Sequence, residues 1–193
     1  MKNLYIIAGP NGAGKTTASM AILPEVLQVR EFVNADNIAR GLSPLNPESD
    51  AVGIAAGRLM LKRIEILLDG NESFAIETTL ATRTHVNLTK VAQSKGFKVV
   101  LIYFWLSSPE AAQLRVAQRV QEGGHNIPIE TIRRRFHAGI NNLFKLFMPV
   151  VDDWMLYDNS DLRKVLVATG GKDQESQIVE PEIYNVIQSY VRQ

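Results

Sequence analysis

The chain of 193 residues is long enough for one α/β domain with a substantial core. Its 21 basic and 20 acidic side chains leave a formal net charge of +1, so no global field recruits nucleic acid or an acidic membrane. The absence of cysteine excludes disulfides, thiolate catalysis and cysteine-bound zinc.

The first element is an apolar run, Leu4 to Ala8, that predicts a short buried strand. It is too short for a signal-peptide core. Directly after it stands Gly9-Pro10-Asn11-Gly12-Ala13-Gly14-Lys15-Thr16-Thr17, in which Gly9, Gly14, Lys15 and Thr16 satisfy G-x-x-x-x-G-K-[ST] at every fixed position. Glycines let the backbone curl until successive N–H groups converge on one anion. A helix expected from Lys15 to about Leu23 adds the positive end of its dipole at the same point. The nine residues from Gly9 to Thr17 are therefore expected to bind ATP, with Lys15 reaching the β- and γ-phosphates and the Thr16 hydroxyl ligating Mg²⁺.

Glu31 to Asn34 reads as a second strand ending at Asp36, and Asn46-Pro47-Glu48 as the start of a long helix running to about Asp69 and closed by Gly70. Ser73 to Ile76 is a third strand, ending at Glu77-Thr78-Thr79. A helix from about Thr84 to Lys95 stops at Gly96. Lys98 to Leu106 has the unbroken apolar character of a central strand buried on both faces. Within it lies the longest apolar run, Val99 to Leu106, far too short to span a bilayer, so the expectation is a soluble, cytoplasmic protein without a membrane partner. Ser108-Pro109-Glu110 opens a helix through Val120, Gly123 to Asn126 breaks it, and Pro128 starts the next. That helix carries a stripe of Ile129, Ile132, Phe136, Ile140, Leu143 and Phe147 at steps of three and four. Two short strands, about Trp154 to Tyr157 and Lys164 to Ala168, are expected to finish the sheet. Strand–helix alternation implies a parallel sheet with helices on both faces, a P-loop architecture in one domain over residues 1–193 with a helical lid at about 109–147.

In such a sheet the ligand sits at the carboxyl ends of the strands. Asp36, Asn37, Glu77, Thr78, Thr79, Ser107 and Ser108 collect there. Asp36 is a candidate general base or Mg²⁺ partner, or the cap of a turn after the second strand. Glu77 ends an apolar strand as a Walker-B-like carboxylate does, or caps the next turn. Arg115 and Arg119 share a helix face, and Arg133, Arg134 and Arg135 sit just beyond the glycine break. With the apolar stripe buried, Arg134 points away from it while Arg133 and Arg135 flank it. Arginines on two helices joined by a Gly-Gly turn suit a lid that spreads positive charge over a transferring phosphoryl group, and solvated helix faces are the plainer alternative. His125 lies in the lid turn. His85, His137 and Trp154 look structural or unexplained.

The ordered set AGPNGAGKTT, FVNAD, FAIETT, RVAQRVQEGGHNIP and YDNS resembles the zeta toxin group of P-loop kinases over nearly the whole chain. That resemblance implies a fold like those of small-metabolite kinases, transfer of phosphate from Mg-ATP to the 3′-hydroxyl of UDP-N-acetylglucosamine, and an antitoxin protein as partner. It also implies residue roles. Asp36 matches the catalytic aspartate, Glu77 and Thr79 match the acid and threonine facing the sugar nucleotide, with Thr78 between them, and Arg119 matches the first lid arginine. The second lid arginine falls near His125, which leaves Arg134 or Arg135 to supply the charge. Arg83 is the nearest candidate for the substrate-binding arginine, and the family's substrate-contacting acid on the long second helix has no match. The expected activity is an ATP- and Mg²⁺-dependent kinase acting on a small-molecule hydroxyl. The rival from another class is an ATPase that drives a conformational change on a protein partner, but the chain has neither an NKxD nor an LSGGQ motif.

Overall fold

In the computed structural model, which describes residues 1–124, 126–161 and 163–191, the first apolar run forms β1 (Lys2–Ala8) and the longest forms β4 (Phe97–Trp105). Along β4 only Lys98 is partly exposed, as in a strand covered by helices on both faces. β3 (Phe74–Thr78) pairs with the other side of β1, β2 (Glu31–Val33) lies beyond β3, and β5 (Asp153–Asp158) lies beyond β4. These five strands are parallel. Chain connections leave β1 toward β2 and leave β4 toward β5, in opposite directions. A crevice therefore opens where the carboxyl ends of β1 and β4 meet.

The sheet does not end as the sequence suggests. β6 (Val165–Gly171) runs antiparallel to β5, and β7 (Gln174–Ile178), which no sequence pattern announces, runs antiparallel to β6. The order among the described residues is β2-β3-β1-β4-β5-β6-β7, a mixed sheet. The reason is geometric. Residues 159–164 are too few for a crossover, which needs a dozen or more, so β6 must fold back on β5.

The helices are α1 (Lys15–Glu25), α2 (Ala35–Leu42), α3 (Asp50–Asp69), α4 (Thr84–Ser94), α5 (Pro109–Gln121), α6 (Ile129–Asn142) and α7 (Pro181–Ser189), with a π-helical turn over Leu143–Phe147 continuing α6. Three differ from expectation. α2 is a helix of 8 residues where the sequence suggests a strand end followed at most by a turn, because Asn34 caps it. α3 begins at Asp50, capped by Ser49 Oγ accepting from the Val52 N–H at 3.3 Å, rather than at Asn46-Pro47. α7 comes after β7 and packs on β6. Of the apolar stripe on α6, Ile132, Phe136, Ile140, Leu143 and Phe147 are buried to within 1% of complete, whereas Ile129 at the open end is 55% exposed. No helix among the described residues is long and apolar enough to cross a membrane.

Candidate functional site

The glycine-rich loop leaves β1 pressed against β4. A Cβ on Gly9 would sit 2.2 Å from the Phe104 carbonyl oxygen, so only glycine passes there, at φ 141°. Gly14 closes the loop in the left-handed region at φ 70° and stands at the N-cap of α1 without a side-chain cap, and the first turn of α1 has no acid. The free N–H groups of that turn therefore converge on the loop with nothing to compete for an anion. From the opposite side, Asn159 at the end of β5 holds the loop by donating from Nδ2 to the Ala13 carbonyl at 2.8 Å. The segment after β5 is itself fastened, with Arg115 Nη2 donating to the Ser160 carbonyl at 2.6 Å and Asp158 Oδ1 accepting from the Ser160 N–H at 2.9 Å.

Lys15 is 7% exposed and donates from Nζ to the Pro10 carbonyl at 2.9 Å, bridging the loop. Burial lowers its pKa from the ordinary lysine value, opposed chiefly by the negative charges of Glu77 and Asp36. Glu77 lies next to the loop because β3 pairs with β1 and sets it opposite Ile7. Its Oε2 accepts from Thr16 Oγ1 and from Asn34 Nδ2, both at 2.8 Å, and its Oε1 is 3.9 Å from Lys15 Nζ. It caps no turn. Asn34 uses both ends of its amide: Oδ1 accepts from the N–H groups of Asp36 (2.8 Å) and Asn37 (3.2 Å), starting α2, while Nδ2 fixes Glu77. Asp36 thus sits in the first turn of α2, exposed at the cleft. The cap is Asn34, not Asp36.

Beyond β3 the wall is strained. Leu80, fully buried, adopts φ 54°, a region costly for a side chain with a Cβ. It is held there by Thr78 Oγ1, which accepts from its N–H at 3.1 Å, and by Asn142 Nδ2 of α6, which donates to its carbonyl at 2.7 Å. These groups enclose a cleft of about 420 Å³ bordered by Asn11, Gly12, Gly14, Lys15, Thr16 and Thr17 at one end and by Asn34, Asp36, Glu77, Thr78 and Thr79 at the other. Arg115, Arg119 and Arg135 also border it. Arg135 feels the charge of Asp36, which partly offsets the burial that lowers the arginine's pKa.

Other expected site residues lie elsewhere. Arg134 is exposed and does not border the cleft, because its position on α6 turns it from the buried stripe. Arg83 stands at the N-cap of α4 and borders a separate groove of about 280 Å³ with Val86, Asn87, Lys90 and Leu146. The turn at Leu80 directs the chain away from the cleft before Arg83 is reached. Gly9, Pro10 and Ala13 shape the loop from behind without bordering the cleft. His125 lies outside the described residues. Sequence reasoning missed Met60 and His85, which border the cleft, and the bracing roles of Asn34 and Asn159. An asparagine directly before an acid-bearing helical turn is a cap signal, and it could have exposed Asn34.

The residues present fit a magnesium ion. Thr16 Oγ1 and Glu77 Oε2 are adjacent hard oxygen donors, and Asn34 orients the carboxylate. Among the described residues no three His, Cys, Asp or Glu side chains gather into a cage. The set therefore suits a cation that shares its coordination with phosphate oxygens and water.

A family model described as an AAA domain matches residues 4–139. An uncharacterized protein of Haemophilus influenzae is 29% identical over 137 residues, covering 70% of this chain and 94% of its own length. Among solved structures, the AvrRxo1-ORF1:-ORF2 complex with ATP superposes with a TM-score of 0.79 at 20% identity, covering 100% of this chain; the chain spans only 65% of that protein's chain. A structure of the PezAT chromosomal toxin–antitoxin system of Streptococcus pneumoniae gives 0.71 at 19% identity, covering 98% of this chain and 78% of its own. A gluconokinase from Sinorhizobium meliloti 1021 gives 0.53 at 14% identity, covering 98% and 90%. At these identities the likeness is one of fold, and the fold is that of P-loop kinases.

Proposed function

We propose that this chain, which belongs to the AAA-domain family, is an ATP-dependent kinase that phosphorylates a hydroxyl of a small molecule, a sugar nucleotide such as UDP-N-acetylglucosamine. The observation that carries the reading is that one cleft brings together the phosphate loop with Lys15, the Thr16–Glu77 pair, the exposed carboxylate of Asp36, and Arg119 and Arg135. An ATPase needs the first two of these. A base and two arginines bordering the same cleft suit a second substrate.

In this reading the loop amides and Lys15 hold the β- and γ-phosphates. Asp36 accepts the proton of the acceptor hydroxyl as the oxygen–phosphorus bond forms and the bond to ADP breaks. Arg119 and Arg135 stabilise the charge on the equatorial oxygens. Magnesium, held by Thr16 with Glu77 behind it, would supply neutralisation of the β- and γ-phosphate charge. Residues 109–147, with α5 and α6 joined through the Gly123-Gly124 turn, act as the lid that excludes water. Thr78 and Thr79 contact the acceptor. The likeness to a toxin–antitoxin structure supports an antitoxin protein as partner.

The test is mass spectrometry of purified protein with Mg-ATP and UDP-N-acetylglucosamine, beside a panel of nucleosides, nucleotides and aminoglycosides. The expected product is UDP-N-acetylglucosamine one phosphate heavier. Phosphorylation of another panel member alone would discard the sugar nucleotide and keep the kinase. ADP and free phosphate with no phosphorylated product would overturn the kinase and favour an ATPase.

A further inference from the structure

His85 is the second residue of α4, 8% exposed, and borders the cleft on the side of Glu77, Thr78 and Thr79. A buried histidine that serves only packing is ordinarily hydrogen-bonded through its ring. This one is not. Nδ1 is fully enclosed without a hydrogen-bond partner, and neither ring nitrogen bonds another described residue. The contact it does make, Thr89 Oγ1 donating at 3.0 Å, is to its backbone carbonyl. With Nδ1 enclosed, the ring edge left to face the cleft is the one that carries Nε2.

We infer that His85 is a specificity-determining residue of the acceptor subsite, donating a hydrogen bond from Nε2–H to an uncharged oxygen, hydroxyl or carbonyl, of the phosphoryl acceptor. The inference rests on the kinase reading. The tautomer follows from the enclosure: a buried N–H without an acceptor is the rarer defect, and a buried bare lone pair is better tolerated, so the proton resides on Nε2. The ring stays neutral, since burial lowers its pKa and the first turn of a helix disfavours a cation. The charged groups that border the same cleft are the carboxylates of Glu77 and Asp36, the Lys15 ammonium and the guanidinium groups of Arg115, Arg119 and Arg135. Asp36 takes the proton of the reacting hydroxyl in the proposed mechanism, which leaves a neutral donor free to select a second oxygen. An ammonium at that position would meet an N–H instead of a lone pair. The subsite therefore selects neutral, oxygen-rich acceptors over aminoglycoside-like amines.

Two measurements test this. Nitrogen NMR of protein labelled in its three histidines, with His85 assigned by its loss in His85→Phe, should show Nε2 protonated and Nδ1 bare near neutral pH; an Nδ1–H tautomer overturns the inference. Kinetics with UDP-N-acetylglucosamine and the panel of nucleosides, nucleotides and aminoglycosides should show that His85→Phe raises the acceptor KM roughly five- to tenfold, the size of one neutral hydrogen bond. KM for ATP should not move, and His85→Gln, which keeps a donor, should recover most of the loss. A purely structural role would move the melting temperature and both KM values together. An acceptor KM that stays the same in His85→Phe refutes the role, as does preferential phosphorylation of an aminoglycoside. If no panel member is phosphorylated, the kinase reading fails on its own, and the tautomer still decides the state of His85.

Discussion

Glu77 is the residue on which the charge balance of the site turns, and its replacement by glutamine can be worked through. The carboxylate accepts two hydrogen bonds at 2.8 Å and stands 3.9 Å from Lys15 Nζ, with the two side chains 7% and 11% exposed. At an effective dielectric of about 20 the Coulomb attraction across 3.9 Å is about 4 kcal/mol, much of it offset by the desolvation of both ions. Glu77→Gln removes the attraction and leaves the desolvation of Lys15 uncompensated. Since Thr16 and Asn34 both donate to one oxygen, the amide can keep its oxygen on them, and its NH2 then replaces the oxygen that faces the Lys15 ammonium. The expected cost is about 2–4 kcal/mol, limited by the ability of Lys15, already lowered in pKa, to give up its proton. For a chain of this length that is a fall in Tm of roughly 5–15 °C. The assay is a double-mutant cycle by thermal and denaturant unfolding. In a Lys15→Met background no buried cation remains, so Glu77→Gln should cost only its hydrogen bonds, about 2 kcal/mol less than in the wild type. An equal cost in both backgrounds would refute the electrostatic account and reduce Glu77 to a hydrogen-bond acceptor.

Lys15→Ala should weaken ATP binding in calorimetry and cut turnover by about 10²–10³-fold, the effect of losing one electrostatic stabiliser; unchanged affinity and turnover would remove the nucleotide assignment. Asp36→Asn, nearly isosteric and exposed, should fold and bind Mg-ATP normally while losing phosphoryl transfer by about 10²–10⁴-fold. If it instead loses metal-dependent ATP binding, Asp36 belongs to the magnesium site and Glu77 becomes the better base. His85 gives a pH signature. Burial holds its pKa below the ordinary 6.5, so in acid the unfolded chain takes up this proton before the folded one does. The stability concerned is intact above about pH 6.5 and is lost as the pH falls toward the lower folded value. In His85→Phe the acid limb of Tm against pH should be flatter, and superimposable limbs would show that His85 is not held neutral by the fold.

The phosphate loop is legible in the sequence because its chemistry depends on residues at fixed spacing within one turn of chain. The central strands are legible because burial on both faces leaves an unbroken apolar run, as in Val99 to Trp105. Asp36 is rightly expected near a strand end but in the wrong local structure, since a three-residue strand and the cap after it leave one residue, Asn34, to carry both signals. Arg83 illustrates a stricter limit. Only four positions beyond Thr79, it looks close enough to share the site, and the positive φ of Leu80, which no local pattern encodes, sends it to another groove. His85, two residues further on, is turned back inward by the start of α4. The hairpin of β6 and β7 escapes sequence reasoning because Gln174 to Ile178 is wholly exposed and has no apolar alternation to betray a strand.

The strained turn at Leu80 also explains how the two halves of the cleft keep their register. Asn142, which holds the Leu80 carbonyl, lies on the same helix as Arg135, two turns away. Gly139, between them, approaches the Thr79 carbonyl so closely that a Cβ would stand 2.5 Å from it. α6 is therefore fastened to the segment Thr78–Leu80 by a buried hydrogen bond and by a contact that only glycine allows. Arg135 and Thr79 consequently behave as parts of one rigid wall. The contact between α5 and α6, by contrast, includes the exposed pair of Arg133 with Glu110 at 3.6 Å, an interaction worth little in water. α5 is fastened elsewhere, by Arg115 on the Ser160 carbonyl and by the phosphate loop, where a Cβ on Gly12 would stand 2.9 Å from the Ala112 carbonyl oxygen. The two arginines that border the cleft are therefore anchored to different parts of the fold, Arg135 with the segment Thr78–Leu80 and Arg119 on the helix that packs against the phosphate loop.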